Sequence, residues 1–283
     1  MLLDAFRAEF YRLFKNRVLI FWTLGFVPLI LTIGGIAVAW HFTSKMKSMQ
    51  PDLADSAPIA GSDLASPIIS LAGHVSNIGT LAFLLIGAAT LFACDYRWET
   101  WRLISARNSR PNLLGGKLLV LALMIVIAAV ALLVAGLIIL LAANGFEGKS
   151  VNLAFTGAQL GELTSLIALG VARLLQVLLL ALVAAVLTRS LMATLFVPIV
   201  ISIAQSFTQQ ALFFLQIPPT DWRAIFISPG LAVDHLKGAI QGGLPPAMGD
   251  SLTNLSLGSL ALWIVLPLVV AFALFQRQGM SKE

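Results

Sequence analysis

A succession of apolar runs, each long enough to cross a lipid bilayer, limits most strongly what this chain can fold into. A membrane-spanning helix needs about 20 predominantly apolar residues. The sequence offers such runs at about 18–40, 75–94, 118–143, 163–187, 191–215 and 255–275. Charged residues make up only 11% of the chain, whereas they are about a quarter of a soluble domain. The sequence therefore predicts an all-α polytopic membrane protein, with six transmembrane helices in one domain over residues 1–283.

The longest basic interruption of this pattern is residues 95–117, between the second and third runs. Lys and Arg translocate poorly, so a basic loop between two spans is expected on the cytoplasmic side. In the resulting layout the cytoplasmic segments hold twelve of the 18 Lys and Arg residues, the external segments hold five, and Arg173 lies in a span. The sequence thus predicts cytoplasmic N- and C-termini. The net charge of +5 follows from this sidedness and does not indicate a nucleic-acid partner.

The middle of this loop, Glu99–Arg107, contains no Pro or Gly and mixes Trp101 and Ile104 with charged residues. The pattern favours a short helix at the membrane surface, ended by the sequence Asn-Ser-Arg-Pro that follows it. Such a helix could dock into a groove on a soluble partner. Its basic residues could equally serve only to hold anionic lipid heads. The residues alone leave both interpretations open.

The loop resembles the corresponding segment of the type-2 ABC exporter permease family. That family carries an acidic residue, a Gly-Thr-like pair, a helix, a Ser-Arg pair and a Gly-Lys pair that opens the next span. This sequence has Glu99-Thr100, Ser109-Arg110 and Gly116-Lys117. It departs from the pattern at Glu99, where the family usually has Gly, and at Arg107, near which a Pro is common. The six-span layout also fits the family, so the resemblance covers most of the chain.

The resemblance implies that 95–117 is a coupling loop that contacts a separate ATP-binding-cassette ATPase subunit. The residues that it assigns to this contact are Glu99, Thr100, Trp101, Arg102, Ile104, Arg107, Ser109 and Arg110. It also implies a dimer of permeases, formed with a second copy or a related chain, in the bacterial cytoplasmic membrane. ATP and Mg would bind to the ATPase partner. The chain itself has no G-x-x-x-x-G-K-[ST] phosphate loop and no H-E-x-x-H or G-x-S-x-G motif, so we expect a non-catalytic subunit that binds no cofactor.

Two further segments are predicted to lie at the membrane surface or to dip into it. Residues 2–17 place Leu3, Phe6 and Phe10 on one helical face, which is typical of an interfacial amphipathic helix. Residues 216–254 are divided by Pro218-Pro219 and by Ser228-Pro229-Gly230, which predicts one or two short external or re-entrant helices before the last span. Residues 41–73 form an external loop rich in Pro, Ser and Gly, and the sequence does not decide whether it folds.

Polar residues inside the predicted spans are candidates for a substrate pathway. Arg173 lies in the fourth run, where a cation costs about 3 kcal/mol at mid-bilayer. It either lines a path or subunit contact, or reaches the interface because its helix begins well outside the membrane. Ser202, Gln205 and Gln209 recur at i, i+3 and i+7 and therefore share one helical face. This face could line a water-filled cavity or bond to neighbouring helices.

Three classes of function remain after this reading: the permease subunit of an ATP-driven exporter, an ATPase-independent secondary transporter or channel, and a membrane anchor that recruits a soluble complex. Asp and Glu are absent from the cores of the predicted spans. This absence argues against an ion-coupled carrier, which usually needs an acidic site at depth. The substrate cannot be read from the sequence, since a peptide, an antibiotic and a lipid-like molecule all fit.

Overall fold

The computed structural model describes residues 1–49, 61–97, 108–243 and 249–278, and within them it is mainly helical. Among these residues, six helices are long and apolar enough to cross a membrane: Arg17–Met49, Ile78–Tyr96, Arg110–Glu147, Gly157–Thr188, Leu191–Phe214 and Gly249–Arg277. The prediction of an all-α protein with six candidate membrane-spanning helices is therefore confirmed.

The elements, in chain order, are α1 (Leu2–Lys15), α2 (Arg17–Ile20), a π-helical turn (Phe21–Gly25), α3 (Phe26–Met49), β1 (Ser62–Asp63), α4 (Ala65–Ala72), α5 (Ile78–Arg97), α6 (Arg110–Glu147), β2 (Val151–Asn152), α7 (Gly157–Thr188), α8 (Leu191–Phe214), α9 (Trp222–Ile227), α10 (Pro229–Ile240) and α11 (Gly249–Arg277). The first span consists of α2, the π-helical turn and α3 without a break.

Several helices are longer than the apolar runs that predict them. The first span continues to Met49, nine residues beyond the predicted end at Trp40, because no Pro or Gly follows Gly35 before Pro51. Helix α6 begins at Arg110, eight residues before the predicted start of the third span. Pro111 lies in its first turn, where the missing N–H and fixed φ of Pro are compatible with a helix. Lys117, predicted to open this span, therefore lies seven residues inside the helix.

Most of the buried core residues belong to α5, α6 and α7, among them Leu84, Leu121 and Leu178, which are fully buried. At two contacts, a glycine allows neighbouring helices to approach each other closely. A Cβ at Gly87 would lie 2.5 Å from side-chain atoms of Met124 and of Thr23. A Cβ at Gly116 would lie 2.9 Å from the carbonyl carbon of Ala5. The second contact brings the backbone of α1 directly against the first third of α6.

At the far end of α6 the chain folds back on itself. Strand β1 pairs in parallel with β2, with Ser62 opposite Val151. Helix α4 packs on α6, where a Cβ at Gly136 would lie 2.5 Å from Leu71. The described part of the loop that was predicted to be external, and whose folding the sequence left undecided, is therefore folded against the third span.

Helices α9 and α10 form a short hairpin against α11. The indole N–H of Trp263 donates to the Phe226 carbonyl at 2.8 Å, and the Ser259 hydroxyl donates to the Ile225 carbonyl at 2.7 Å. Trp263 is 14 residues from each end of α11, which is about 21 Å at the rise of an α-helix. The turn of the hairpin, at buried Ser228, therefore lies level with the middle of α11.

Residue 1 and the end of α11 lie at the same end of the bundle. Arg110 donates to the carbonyls of Gln276 and Gln278, at 2.8 and 2.9 Å. Asn108 donates to the carbonyl of Met1 at 2.8 Å. Gln278 also donates to the carbonyl of Val186, near the end of α7. We call this end of the bundle the terminal end.

Candidate functional site

The predicted coupling helix falls within residues 98–107, which lie outside the described part of the chain. This applies to Glu99, Thr100, Trp101, Arg102, Ile104 and Arg107. Of the predicted coupling residues, the structure places Ser109 and Arg110, at the N-terminus of α6. It also places both flanks of the segment, at the terminal end of α5 and at the start of α6.

The two flanks meet α1 in a charge cluster formed by Glu9, Arg12, Asp95 and Lys117. The Nζ of Lys117 lies 2.6 Å from an Asp95 oxygen and 3.1 Å from a Glu9 oxygen, and it donates to the Leu91 carbonyl at 2.7 Å. Arg12 donates to both Asp95 oxygens, at 2.7 and 3.2 Å, and lies 3.2 Å from Glu9. Two acids and two bases make the cluster electrically neutral.

Three of these four side chains are buried, and Arg12 is partly exposed. Lys117 and Asp95 are each 1% exposed, and buried charges persist only when they are paired and hydrogen-bonded. Burial alone would lower the pKa of Arg12, but its hydrogen bond to Asp95 and the nearby charge of Glu9 raise it. Asp95 and Glu9 therefore hold Arg12 in its charged form.

The packing of α1 explains why the cluster forms. Ala5, Glu9 and Leu13 are the buried residues of this helix, and they follow one another at a spacing of four, along one face. The contact between Ala5 and Gly116 sets the distance between α1 and α6. One turn further along α1, Glu9 then meets the residue that follows Gly116, which is Lys117.

Further hydrogen bonds hold the flanks to the last helix. The Tyr96 hydroxyl donates to Gln278 at 3.1 Å, and Arg110 binds two carbonyls at the end of α11. The residues on both sides of 98–107 are thus fastened to α1 and α11 as well as to their own helices. A displacement of this segment would therefore act on four helices together.

A second polar site is a cleft of about 220 Å³ between α5, α7 and α8. It brings together two of the predicted pathway residues, Arg173 and Ser202. Its other polar lining residues are Ser76 and Ser206, and the rest of its surface is apolar: Ile78, Leu81, Ala82, Leu85, Val177, Ile199 and Ile203.

The other two predicted pathway residues do not line this cleft. Gln205 is buried in α8 but lies on a neighbouring face of that helix. Gln209 also belongs to α8, and its side chain lies outside the described part of the structure. The cleft instead uses Ser202 and Ser206, which are one turn apart.

Arg173 lies deep along its helix. It is 16 residues from Gly157 and 15 from Thr188, or about 24 and 22 Å at 1.5 Å per residue. It donates a hydrogen bond to Gln176, one turn further along α7. The side chain thus points into the cleft at the middle of a candidate span.

Several buried polar atoms near the cleft have no hydrogen-bond partner among the residues that the structure describes: Ser202 Oγ, Gln176 Nε2, and both amide atoms of Gln205. Buried polar atoms in folded proteins nearly always have a partner. These atoms therefore call for water or a ligand between the helices.

The charge cluster was not predicted from the sequence, in which Lys117 was expected only to open a span. One feature of the sequence could have indicated the cluster. Glu9 lies four residues from both Ala5 and Leu13, so an acid interrupts the apolar stripe of the helix. An acid at such a position predicts a buried basic partner.

Comparison with known proteins gives no match: no family model, no curated protein and no solved structure matches the chain.

Proposed function

We propose that this chain is the membrane-spanning permease subunit of an ATP-binding-cassette exporter, with 95–117 as its coupling loop. The observation that carries the proposal is that both flanks of residues 98–107 are anchored, through the charge cluster and Arg110, to α1, α5, α6 and α11. A loop that only held lipid heads would not need a buried ionic anchor. A loop that receives a push from a soluble partner does need one, because the push must reach the spans.

The proposed orientation places the terminal end in the cytoplasm. Among the described residues, this end carries Arg7, Arg12, Lys15, Arg17, Arg110, Lys117, Arg189 and Arg277. The residues predicted to be external carry fewer: Lys45 and Lys47 near the end of α3, Lys149 after α6, Arg223 in α9 and Lys237 in α10. The asymmetry is the one that the positive-inside rule requires. The location is a bacterial cytoplasmic membrane, as the family resemblance implies.

The hairpin of α9 and α10 is then an external re-entrant element. Non-helical backbone at membrane depth is tolerated only where protein satisfies its polar groups. The carbonyls at the end of α9 accept hydrogen bonds from Ser259 and Trp263 of the last span, which supports this interpretation.

The cleft around Arg173 supplies the polar surface of the translocation pathway. A second permease copy would complete the pathway across the dimer, and two ATPase subunits would bind ATP and Mg. Closure of the ATPases would push the coupling loops, and the spans would move as rigid bodies. In this scheme the permease itself performs no chemistry.

The proposal is tested by co-purification of this chain with an ATP-binding-cassette ATPase encoded beside it, and by the ATPase activity of that complex in liposomes. Trp101→Ala removes the apolar anchor of the coupling helix, and Glu99→Arg reverses a charge at its start. We expect each to weaken co-purification at least tenfold, as loss of an interface anchor usually costs 1–2 kcal/mol or more. Trp40→Ala, at an exposed aromatic residue of the first span, is the matched control.

Either of two results would contradict the proposal. Wild-type co-purification and coupling in both variants would remove the docking role of Glu99–Arg107. Solute transport by the purified chain alone, in liposomes without an ATPase, would identify a secondary transporter or channel instead.

A further inference from the structure

The cleft between α5, α7 and α8 contains a cation, Arg173, that forms no ion pair with the residues that the structure describes. Among the described residues that line it, Arg173 is the only one with an ionisable side chain. The charge of Asp234 in α10 interacts with Arg173. No carboxylate oxygen of the described residues, however, lies within 4.0 Å of the Arg173 guanidinium, which is the distance of an ion pair. An arginine in the middle of a span is costly unless it has a counter-charge. The missing counter-charge is therefore expected from a ligand.

The lining of the cleft is divided into a polar and an apolar part. Ser202 Oγ is buried and has no hydrogen-bond partner among the described residues, and it lines the same space as Arg173 and Ser206. Arg173 and Ser202 can both donate to one anionic group, whereas the Ser206 hydroxyl already donates to the Ser202 carbonyl. Leu85, Val177 and other apolar side chains form the rest of the wall, so no acid lines the cleft, and Asp234 acts on Arg173 only from outside the lining.

The cleft is small and open at the side. Its volume of about 220 Å³ lies below the roughly 300–1,000 Å³ of sites that enclose a drug-sized ligand, so it can hold a headgroup but not a whole amphiphile. Ile78 and Ile203, on α5 and α8, line the cleft and are 80% and 46% exposed. A hydrocarbon tail can therefore leave the cleft between these two helices into the lipid.

We infer that this cleft binds an amphiphile with a carboxylate or phosphate headgroup, which enters sideways from the membrane. The guanidinium of Arg173 forms paired, charge-assisted hydrogen bonds with the headgroup, and the hydroxyl of Ser202 adds a third. The tail lies along Ile78 and Ile203. The inference depends on the proposed function only for the role of this amphiphile as the exported cargo, because binding itself needs no ATPase.

The experiment measures binding of dodecyl phosphate to the purified full-length chain in a neutral detergent, by equilibrium titration. We expect at least tenfold weaker binding by Arg173→Gln, which removes the charge. Arg223→Gln makes the same substitution at an exposed position and should leave binding unchanged. Inorganic phosphate, which has no tail, and dodecyltrimethylammonium, which has the tail with a positive head, should each bind at least tenfold more weakly than dodecyl phosphate.

A second variant keeps the test decisive if Arg173→Gln does not fold. Ile203→Trp leaves the charge intact and narrows the exit of the tail at a half-exposed position, so it should also weaken dodecyl phosphate binding at least tenfold. Equal affinity in wild type and either folded variant, or equal affinity for the cationic amphiphile, would overturn the inference.

Competition by phosphatidylglycerol in nanodiscs would assign the ligand to the membrane lipids, and its absence would assign it to a free amphiphile of the same headgroup chemistry. The inference and the proposed function can fail separately. If Trp101→Ala still binds dodecyl phosphate and no ATPase ever co-purifies, only the exporter proposal is lost. If the ATPase couples normally but Arg173→Gln binds like wild type, only the headgroup site is lost.

Discussion

Replacement of Lys117 by Met tests the charge cluster directly. Met retains most of the length and the apolar stem of Lys but removes its ammonium group. The variant leaves two buried carboxylates, Asp95 and Glu9, against the single guanidinium of Arg12 within the cluster. We expect a large loss of stability, because a buried charge that is only partly compensated destabilises the folded protein more than an uncharged group at the same place.

The magnitude follows from the geometry. At an effective dielectric constant of about 20, the ammonium attracts Asp95 at 2.6 Å by about 6 kcal/mol and Glu9 at 3.1 Å by about 5 kcal/mol. Desolvation of the ions offsets most of this gross attraction, at several kcal/mol per ion. Removal of one member of a buried pair therefore costs about 3–5 kcal/mol, which is the expected drop in the free energy of unfolding of Lys117→Met.

The assay is equilibrium unfolding in mixed micelles of a non-ionic detergent and increasing dodecyl sulfate, followed by circular dichroism. Lys149→Met is the matched control: Lys149 is 49% exposed and pairs with the exposed Glu147, so its loss should cost less than about 1 kcal/mol. The double variant Lys117→Met with Asp95→Asn restores neutrality and should lose less than the sum of the single changes. A cost below about 1 kcal/mol for Lys117→Met, or additivity in this cycle, would refute the reasoning.

Two further predictions concern packing and buried carbonyls, and both are measured in the same unfolding assay. Gly116→Ala should destabilise the protein by about 1–3 kcal/mol because the new Cβ would meet the backbone of Ala5 at 2.9 Å. The control Gly145→Ala lies in the same helix with no other atom within 4 Å of its Cβ, so it should be neutral or stabilise by up to about 1 kcal/mol. Equal effects at the two sites would contradict the packing argument. Ser259→Ala should lower the free energy of unfolding by about 1–3 kcal/mol because it leaves the buried Ile225 carbonyl of α9 without this hydrogen bond. The control Ser48→Ala, at an exposed position near the end of α3, should change stability by less than about 0.5 kcal/mol. Equal effects of the two substitutions would contradict the buried hydrogen bond.

Hydropathy alone predicted the six candidate spans because the signal for a span is local: about 20 apolar residues in sequence. The same signal misplaced the helix ends. The residues Arg110–Lys117 and His41–Met49 are helical in the structure. Pro111 falls in the first turn of α6, where it is compatible with a helix, and Gly115 and Gly116 pack against α1. His41–Met49 contains no Pro or Gly and continues a span that is already formed.

The features that the sequence did not predict depend on distant partners. Glu9 and Lys117 are 108 residues apart, and β1 pairs with a strand 89 residues further along. No periodicity relates such residues, so only the packing of α1 on α6 reveals the charge cluster. Arg173 and Ser202 were each conspicuous as polar residues in apolar runs, but their meeting in one cleft required the arrangement of α7 beside α8.

The π-helical turn at Phe21–Gly25 has a consequence for how the length of the first span can change. A π-helical turn accommodates one residue more than an α-helical path between the same flanks. Elsewhere in a span, the deletion of one residue would rotate everything beyond it by about 100° and move its apolar face away from its neighbours. A deletion within this turn would instead restore a regular helix and leave Asn16 and Phe26 on the faces they now occupy. The first span can therefore lose one residue at this turn without turning its apolar face away from its neighbours.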